Sequence, residues 1–207
     1  MMKKIITLIA SLAAAICAFG QDAAILDKIE KANASMKSVQ CNFTENRILT
    51  ATGRKFDCAG TVYFQGPDRM AMRFSKPATD LVVIDGKTYH MNRFGKPMTF
   101  DTEKAPLMRS LRNTLLYCIT GQPRKVAAES DADIAVKDTK DGYVVLLTAR
   151  KHVTKGYSHI YLTYRKSDCL MVRMETEEFG GIIDIYQMSD FSRNASIDPA
   201  VFKIPAK

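Results

Sequence analysis

Apolar and polar residues alternate along most of this chain with the two-residue period of a β-strand. The clearest case lies between Pro67 and Pro77, where Met70, Met72 and Phe74 alternate with arginine, alanine and serine. This alternation predicts a strand that carries the three large apolar side chains on one face. A face built from flexible methionines suits either a loosely packed core or a surface that accepts apolar ligands of variable shape. The pattern leaves both interpretations open.

A helix is predicted before the first strand. Apolar residues recur at helical spacing from Ala23 to about Met36, and Asp22 is available as an N-cap. Strand signals follow at 39–49, 56–65, 69–76, 80–84 and 88–91, with turn residues between them. Successive hairpins without a crossover helix indicate an antiparallel meander.

A second helix interrupts the strand pattern in the middle of the chain. It begins at Pro106, carries leucines at helical spacing and ends before Gly121-Gln122-Pro123. Strand signals resume at 134–136, 143–149, 158–165, 169–175 and 182–188, and Asp198–Pro205 predicts a short cap. The total is about ten to eleven strands, and an antiparallel sheet of this size must curl over a core. Several strands are apolar on both faces, so helices or a ligand should cover the second face.

Residues 1–20 have the pattern of a secretory signal peptide. Lys3-Lys4 is followed by an apolar run and by the small residues of Ala18-Phe19-Gly20. The run is shorter than the ~20 residues of a membrane span, which disfavours an uncleaved anchor. Bulky Ile16 disfavours lipoprotein processing at Cys17. We therefore expect a secreted chain whose residues 21–207 form a single domain.

The charge of the chain points to no nucleic-acid partner. The formal net charge of +8 falls to +6 when Lys3 and Lys4 are removed with the leader. The remaining basic residues are scattered, and the expected secretory route leads away from nucleic acid. A basic surface is also compatible with contact to anionic membranes or acidic partners.

Four cysteines lie beyond the leader: Cys41, Cys58, Cys118 and Cys169. An oxidising compartment permits three full pairings of four thiols. A turn at Thr52-Gly53 places Cys58 opposite Arg47 and Cys41 opposite Phe64, which is too far apart for a bridge between these two cysteines. The sequence therefore assigns no particular disulfide, and buried free thiols are a serious alternative to any pairing.

No catalytic or metal-binding motif stands out. The sequence has no histidine pair at HExxH spacing and no G-x-S-x-G elbow. The turn Asp85–Thr88 lacks the first glycine of a phosphate-binding loop, because Leu81 stands there. Glu175, Glu177 and Glu178 precede Gly180-Gly181, which favours a solvated turn over acid–base chemistry. We therefore predict no metal, no cofactor and no enzymatic activity.

The order of several motifs resembles the LolA family, the periplasmic carriers of outer-membrane lipoproteins. The best-matched part runs from Gly60 through Pro67 and Pro77 to Asp85-Gly86. Ala105–Met108 is similar to the start of the family's lid helix, and Phe202–Pro205 is similar to its closing Phe-x-x-Pro. The resemblance extends over most of the chain after the leader.

The resemblance implies a mainly β fold with helices (α+β), in which an incomplete antiparallel barrel and an α-helical lid enclose an apolar cavity for acyl chains. The implied lining is Val62, Phe64, Met70, Met72, Phe74, Leu81, Val83 and Met91. The implied lid residues are Leu107, Met108, Leu111 and Leu115. Gly66 stands where the family usually has the arginine that holds the lid closed, so we expect this lid to be held by helix packing.

The function that the resemblance implies is that of a periplasmic chaperone. It would accept lipoproteins from an inner-membrane release complex and pass them to an outer-membrane receptor, as a monomer without a cofactor. Two alternatives use the same scaffold: a carrier of another lipid or glycolipid, and a regulatory module that senses lipoproteins. A lipid hydrolase is disfavoured because no nucleophile constellation is present.

Overall fold

The computed structural model describes residues 22–204 and contains one antiparallel sheet with helices on one side. The helices are α1 over 22–33, α2 (Pro106–Ile119) and α3 (Pro123–Glu129), and a 3₁₀ turn covers Pro199–Phe202. The strands are β1 (Ser38–Leu49), β2 (Arg54–Gln65), β3 (Arg69–Lys76), β4 (Leu81–Asp85), β5 (Thr88–Arg93), β6 (Lys96–Asp101), β7 (Ala132–Thr139), β8 (Gly142–Ala149), β9 (Tyr157–Tyr164), β10 (Met171–Glu178) and β11 (Ile182–Arg193). The expected signal peptide lies outside the described residues.

The sheet is a meander that stays open. Its eleven strands follow the order β6-β5-β4-β3-β2-β1-β11-β10-β9-β8-β7, so β1 pairs with the last strand and the edges are β6 and β7. The two edge strands flank the α2–α3 segment in the chain. The predicted incomplete antiparallel barrel with helices is therefore confirmed. Strand β6 and helix α3 were not predicted, and α1 ends at residue 33, before Met36.

The β1–β2 hairpin has a different register from the predicted one. Leu49 pairs with Arg54 across a four-residue loop, so Cys58 lies opposite Glu45 and Cys41 opposite Val62. The loop is longer than the two-residue turn that we expected at Thr52-Gly53, so the predicted register is wrong. The conclusion about this hairpin still holds, because Cys41 and Cys58 remain far apart along the strands.

All four described cysteines are free and buried. Burial raises the pKa of the Cys41 and Cys118 thiols to about 12. A thiol with so high a pKa is almost never ionised at neutral pH and is a poor nucleophile. The cysteines therefore act as small apolar core residues.

The main core lies between the concave face of the sheet and the helices. Ile29 of α1, Leu116 of α2 and Val126 of α3 pack into the same buried cluster as Met70 and Leu162 from the sheet. Within residues 22–204, no helix has the length and apolar content needed to cross a membrane.

A second, smaller core covers the convex face of β3 and β4. Ala71, Leu81 and Val83 pack there with Ile197 and with Phe202 of the 3₁₀ turn. Arg73 fastens this segment, because its Nε donates a hydrogen bond of 2.8 Å to the Val201 carbonyl oxygen. The C-terminal segment, rather than a helix or a ligand, covers the second apolar face of these strands.

Candidate functional site

An apolar cavity of about 270 Å³ lies between α2 and the sheet. The strand residues that line it come mainly from the β3–β6 half, and the helix contributes four apolar side chains. The apolar lining is Met72, Val82, Tyr89, Met91, Met98, Phe100, Leu107, Met108, Leu111 and Leu115. Flexible methionines on both walls allow the lining to adapt to ligands of different shape.

The structure divides the predicted site residues into three groups. Six line the cavity beneath α2: Met72, Met91, Leu107, Met108, Leu111 and Leu115. Four belong to the surrounding core: Val62, Phe64, Met70 and Phe74. The remaining two, Leu81 and Val83, are predicted wrongly. Strand alternation sends Val82 and Ile84 to the concave face, and therefore places Leu81 and Val83 under the C-terminal segment.

Helix α2 is anchored by its second half. Its buried side chains are Thr114, Leu116, Cys118 and Ile119, whereas Leu107 in the first turn is 51% exposed. No side chain caps the N-terminus of the helix at Ala105. The first half thus covers the cavity with few buried contacts, which makes it the part of the helix that opens most easily.

Polar contacts also hold α2 on the sheet. The Arg112 side chain donates from Nε to the Gly86 carbonyl oxygen at 2.7 Å, and its Nη2 lies 3.7 Å from Asp68 Oδ2. The expectation that packing alone holds the lid is therefore wrong. Although Gly66 leaves the sheet without the family's arginine, the helix itself supplies an arginine that reaches the β4–β5 turn.

An outer groove of about 540 Å³ adjoins the inner cavity at the tips of the β1–β2 and β5–β6 hairpins. Arg47, Met91, Arg93 and Met98 line both spaces. Ligand pockets usually have about 300–1,000 Å³. The inner cavity of about 270 Å³ falls just below this range, whereas the adjoining groove lies within it. A large acylated ligand would need the groove or a displaced α2.

A buried ion network forms the floor of this space. Arg93 Nη2 donates to both carboxylate oxygens of Glu45 at 3.0 Å, and Arg93 Nε donates to Asp80 Oδ2 at 3.1 Å. The side chains of Glu45 and Asp80 are fully buried. Tyr186 adds a hydrogen bond of 3.3 Å from its hydroxyl to Glu45. Burial by itself lowers the pKa of Arg93. Glu45 and Tyr186 raise this pKa by more than burial lowers it, so the pKa of Arg93 lies above its ordinary value.

Two more carboxylates face the cavity from β10 and β11. Burial raises the pKa of Asp184 to about 7, although Arg47 lowers it, and burial likewise raises the pKa of Glu178. Arg47 Nε lies 3.4 Å from Asp184 Oδ1, but this oxygen has no hydrogen-bond partner within the described part of the chain. The sequence interpretation of Glu178 as part of a solvated turn is wrong, because Glu178 is half-buried and lines the cavity.

A larger cleft of about 850 Å³ lies at the opposite end of β2, between α1, α2 and the β2–β3 turn. Its lining contains more polar and charged residues than the cavity beneath α2, among them Asn33, Asn113 and Gln122. Arg124 and Glu30, which form an ion pair of 2.7 Å, also line it. We favour the smaller space beneath α2 as the lipid site, because apolar surface is what an acyl chain requires.

Catalytic and metal chemistry find no support in the described residues. Residues 22–204 contain no group of three or more histidines, cysteines or acidic residues that could hold a metal ion. His159 Nδ1 lies 3.0 Å from Glu177 on the outer face of the sheet, away from the cavity. The mainly apolar lining beneath α2 is suited to the binding of an apolar ligand.

A known protein family matches most of this chain in sequence. The family model described as outer membrane lipoprotein carrier protein LolA matches residues 34–205. No curated protein matches the chain in sequence.

Solved structures share the fold at low identity. A LolA superfamily protein from Nitrosomonas europaea is 13% identical, with 88% of this chain and 97% of that chain covered and a TM-score of 0.44. MucB is 14% identical, with 90% and 64% covered and a TM-score of 0.50. In the Pseudomonas aeruginosa MucA/MucB complex the match is 15% identical, with 87% and 59% covered and a TM-score of 0.43. The chain spans less than two thirds of these MucB chains, and such identities show the fold alone.

Proposed function

The chain belongs to the LolA family of outer membrane lipoprotein carrier proteins, and we propose that it is a periplasmic chaperone for lipoproteins. In this role it binds the acyl chains of lipoproteins released from the inner membrane and carries them to the outer membrane. The observation that carries the proposal is the apolar cavity beneath α2, with its methionine-rich lining.

The physical basis is the transfer of acyl chains out of water. Each buried CH₂ group contributes ~0.8 kcal/mol, so one long chain supplies several kcal/mol toward binding. Leu107, Leu111 and Leu115 contact the cavity when it is empty. A bound acyl chain replaces those contacts, so the free-energy difference between the loaded and the empty protein stays small. A small difference allows the cargo to be released later.

Carriage between two membranes requires partners at both ends of the route. The expected partners are an inner-membrane complex that releases lipoproteins and an outer-membrane receptor that accepts them. We propose that the chain acts in the periplasm as a monomer, after removal of residues 1–20.

The test is transfer of acylated cargo into a soluble complex. Inner membranes that bear lipoproteins are incubated with the protein lacking its leader, and the supernatant is examined by native mass spectrometry for a 1:1 complex. Leu111→Glu, at a half-buried cavity position, should abolish the complex, and Met72→Glu on the facing wall should do the same. Arg109→Glu, on the exposed side of the same helix, is the control. Absence of any complex with the wild-type protein would refute the proposal.

A second candidate function is the carriage of a lipid other than a lipoprotein anchor. The specific observation in its favour is the pair of carboxylates, half-buried Glu178 and buried Asp184, which line one wall of the cavity and find no partner in a purely apolar cargo. Mass spectrometry of material co-purified from the periplasm distinguishes the two, because it detects either acylated polypeptides or free lipids.

A further inference from the structure

The cavity beneath α2 is mainly apolar on one wall and carries two carboxylates on the other. The helix and β3–β6 provide the apolar wall, which also includes Arg93. The other wall consists of Glu178 and Asp184 together with Arg47, Tyr157 and Tyr186. We infer that the ligand of this cavity carries a protonated primary amine beside its apolar chain, and that Asp184 and Glu178 bind this amine. The inference rests on the proposed lipid-binding function and specifies the head group of the ligand.

The first observation is an unsatisfied oxygen in the cavity wall. The Asp184 side chain is 7% exposed and lines the cavity, and its Oδ1 accepts no hydrogen bond from the described residues. Arg47 Nε approaches this oxygen to 3.4 Å without hydrogen-bond geometry. A buried acceptor without a donor is costly, so an N–H group of a ligand at this position is stabilising.

The second observation is the balance of charge around the cavity. Arg93 is already bound by Glu45 and Asp80, which leaves Arg47 as the cation nearest to Asp184. Arg47 also lies 3.9 Å from Glu45. The cluster has more acids than arginines, and its members are Glu45, Arg47, Asp80, Arg93, Glu178 and Asp184. A ligand cation would compensate the excess negative charge.

The third observation concerns Glu178, at the end of β10. Among residues 22–204 it forms no ion pair, although it is half-buried and lines the same cavity. Thr176 pairs with Asp184 in the β10–β11 ladder, and alternation puts the Glu178 side chain on the same face. The two carboxylates thus face one space from adjacent strands.

Other head groups fit this wall less well. A phosphate or carboxylate would be repelled by Glu178 and Asp184. A hydroxyl group could donate one hydrogen bond but would leave the excess charge uncompensated. A primary ammonium group has three N–H donors and a positive charge, and hydrogen bonds between charged partners are the stronger kind.

The same chemistry occurs in two sources. One is a membrane lipid with an amino group, and the other is a diacylated lipopeptide whose terminal amine is free. Both carry a primary amine in the polar group to which the acyl chains are attached. The experiment therefore tests the chemistry first and the source afterwards.

The chemical test compares ligands that differ only in the head group. Isothermal titration calorimetry with decylamine, decanol and decanoate, each below its aggregation concentration, measures the affinity of the wild-type protein. We expect decylamine to bind about tenfold more tightly than decanol, as a single charged hydrogen bond would provide, and decanoate to bind most weakly. Equal affinity for decylamine and decanol would overturn the inference.

Variants locate the amine. Asp184→Asn and Glu178→Gln should each remove most of the preference for decylamine while decanol affinity stays within about twofold of wild type. Glu177→Gln is the matched control, because Glu177 is the neighbour of Glu178 on the opposite face of β10 and pairs there with His159. The inference would also be overturned if Glu177→Gln reduced the preference for decylamine over decanol as much as Glu178→Gln does. Far-UV circular dichroism confirms that each variant is folded.

The source is tested with a diacylated cysteinyl peptide in two forms, one with a free terminal amine and one with the amine acetylated. Tighter binding of the free amine by about tenfold supports a lipopeptide ligand. Equal binding of both forms, together with a preference for decylamine, assigns the site to an aminolipid. If no alkyl compound of any head group binds, the proposed function itself fails, and this outcome is distinct from loss of the amine preference alone.

Discussion

Replacement of Arg93 by methionine should strongly destabilise the protein. The variant keeps an unbranched side chain of similar length but removes the cation that lies between Glu45 and Asp80, both of which are fully buried. Arg93 also lies over the Phe74 ring at 4.4 Å, and this contact is lost too. Because two buried carboxylates would remain without a counter-charge, the structure predicts a large effect from a single substitution.

The magnitude follows from the burial of the network. Removal of one partner of a buried ion pair typically costs 3–5 kcal/mol, mainly because the other charge is left uncompensated. We expect a loss of about this size, which is a large fraction of the 5–15 kcal/mol that stabilises a typical domain.

Urea unfolding followed by far-UV circular dichroism provides the measurement, since the chain contains no tryptophan. Arg150→Met is the control. Arg150 also bridges two aspartates, Asp131 and Asp133, but it is 52% exposed, so its loss should barely change the free energy of unfolding. Adding Glu45→Gln and Asp80→Asn to Arg93→Met should recover part of the loss. A loss below about 1 kcal/mol for Arg93→Met would show that water or rearrangement compensates the two acids.

Three further predictions test other parts of the structure. Arg112→Met should release a bound fluorescent alkylamine about tenfold faster than wild type, as loss of one charged hydrogen bond allows, whereas Arg109→Met should not. Equal release rates would exclude Arg112 as a contact that holds α2 over the cavity. Burial raises the pKa of Asp184 from 3.8 to about 7, so between these two pH values the folded state keeps a proton that the unfolded state has lost. The free energy of unfolding therefore falls as the pH rises through this range. Asp184→Asn should therefore become more stable relative to wild type as the pH rises from about 4 to about 7, as measured by urea unfolding. A difference in stability that stays constant over this range would contradict the prediction. The other charged groups near Asp184 are Arg47, Glu45, Arg93 and Glu178. The four buried cysteines should react with Ellman's reagent only after denaturation, and rapid reaction of the native protein would show that the core opens readily.

The local pattern was sufficient for most of the fold. The two-residue period between Pro67 and Pro77 placed Met70, Met72 and Phe74 on the concave side, and the structure agrees. Pro106 and the following leucines correctly predicted α2. In such segments one face is apolar and the other polar, so the solvent preference of each side chain specifies its direction.

The pattern failed where both faces of an element are buried. Leu81, Val82, Val83 and Ile84 are all apolar, so nothing in the run itself shows which pair faces the cavity. The answer depends on Phe202, which lies more than a hundred positions away and covers Leu81 and Val83. Strand β6 was missed for a related reason, because it is an exposed edge strand with little apolar periodicity.

The sequence by itself determined the class of the protein: an antiparallel meander with a leucine-rich helix, an apolar face rich in methionine and the motifs of the LolA family. Only the tertiary structure decided that two carboxylates and an arginine meet at one wall of the cavity. Arg47 lies more than a hundred positions from Glu178 and Asp184, and each of the three resembles an ordinary polar residue near a turn. Pairing of β1 with β11 and of β10 with β11 brings them together, and burial beneath α2 raises the pKa of Glu178 and of Asp184. Local preference acts over a few residues, whereas burial and charge pairing depend on contacts that only the folded chain provides.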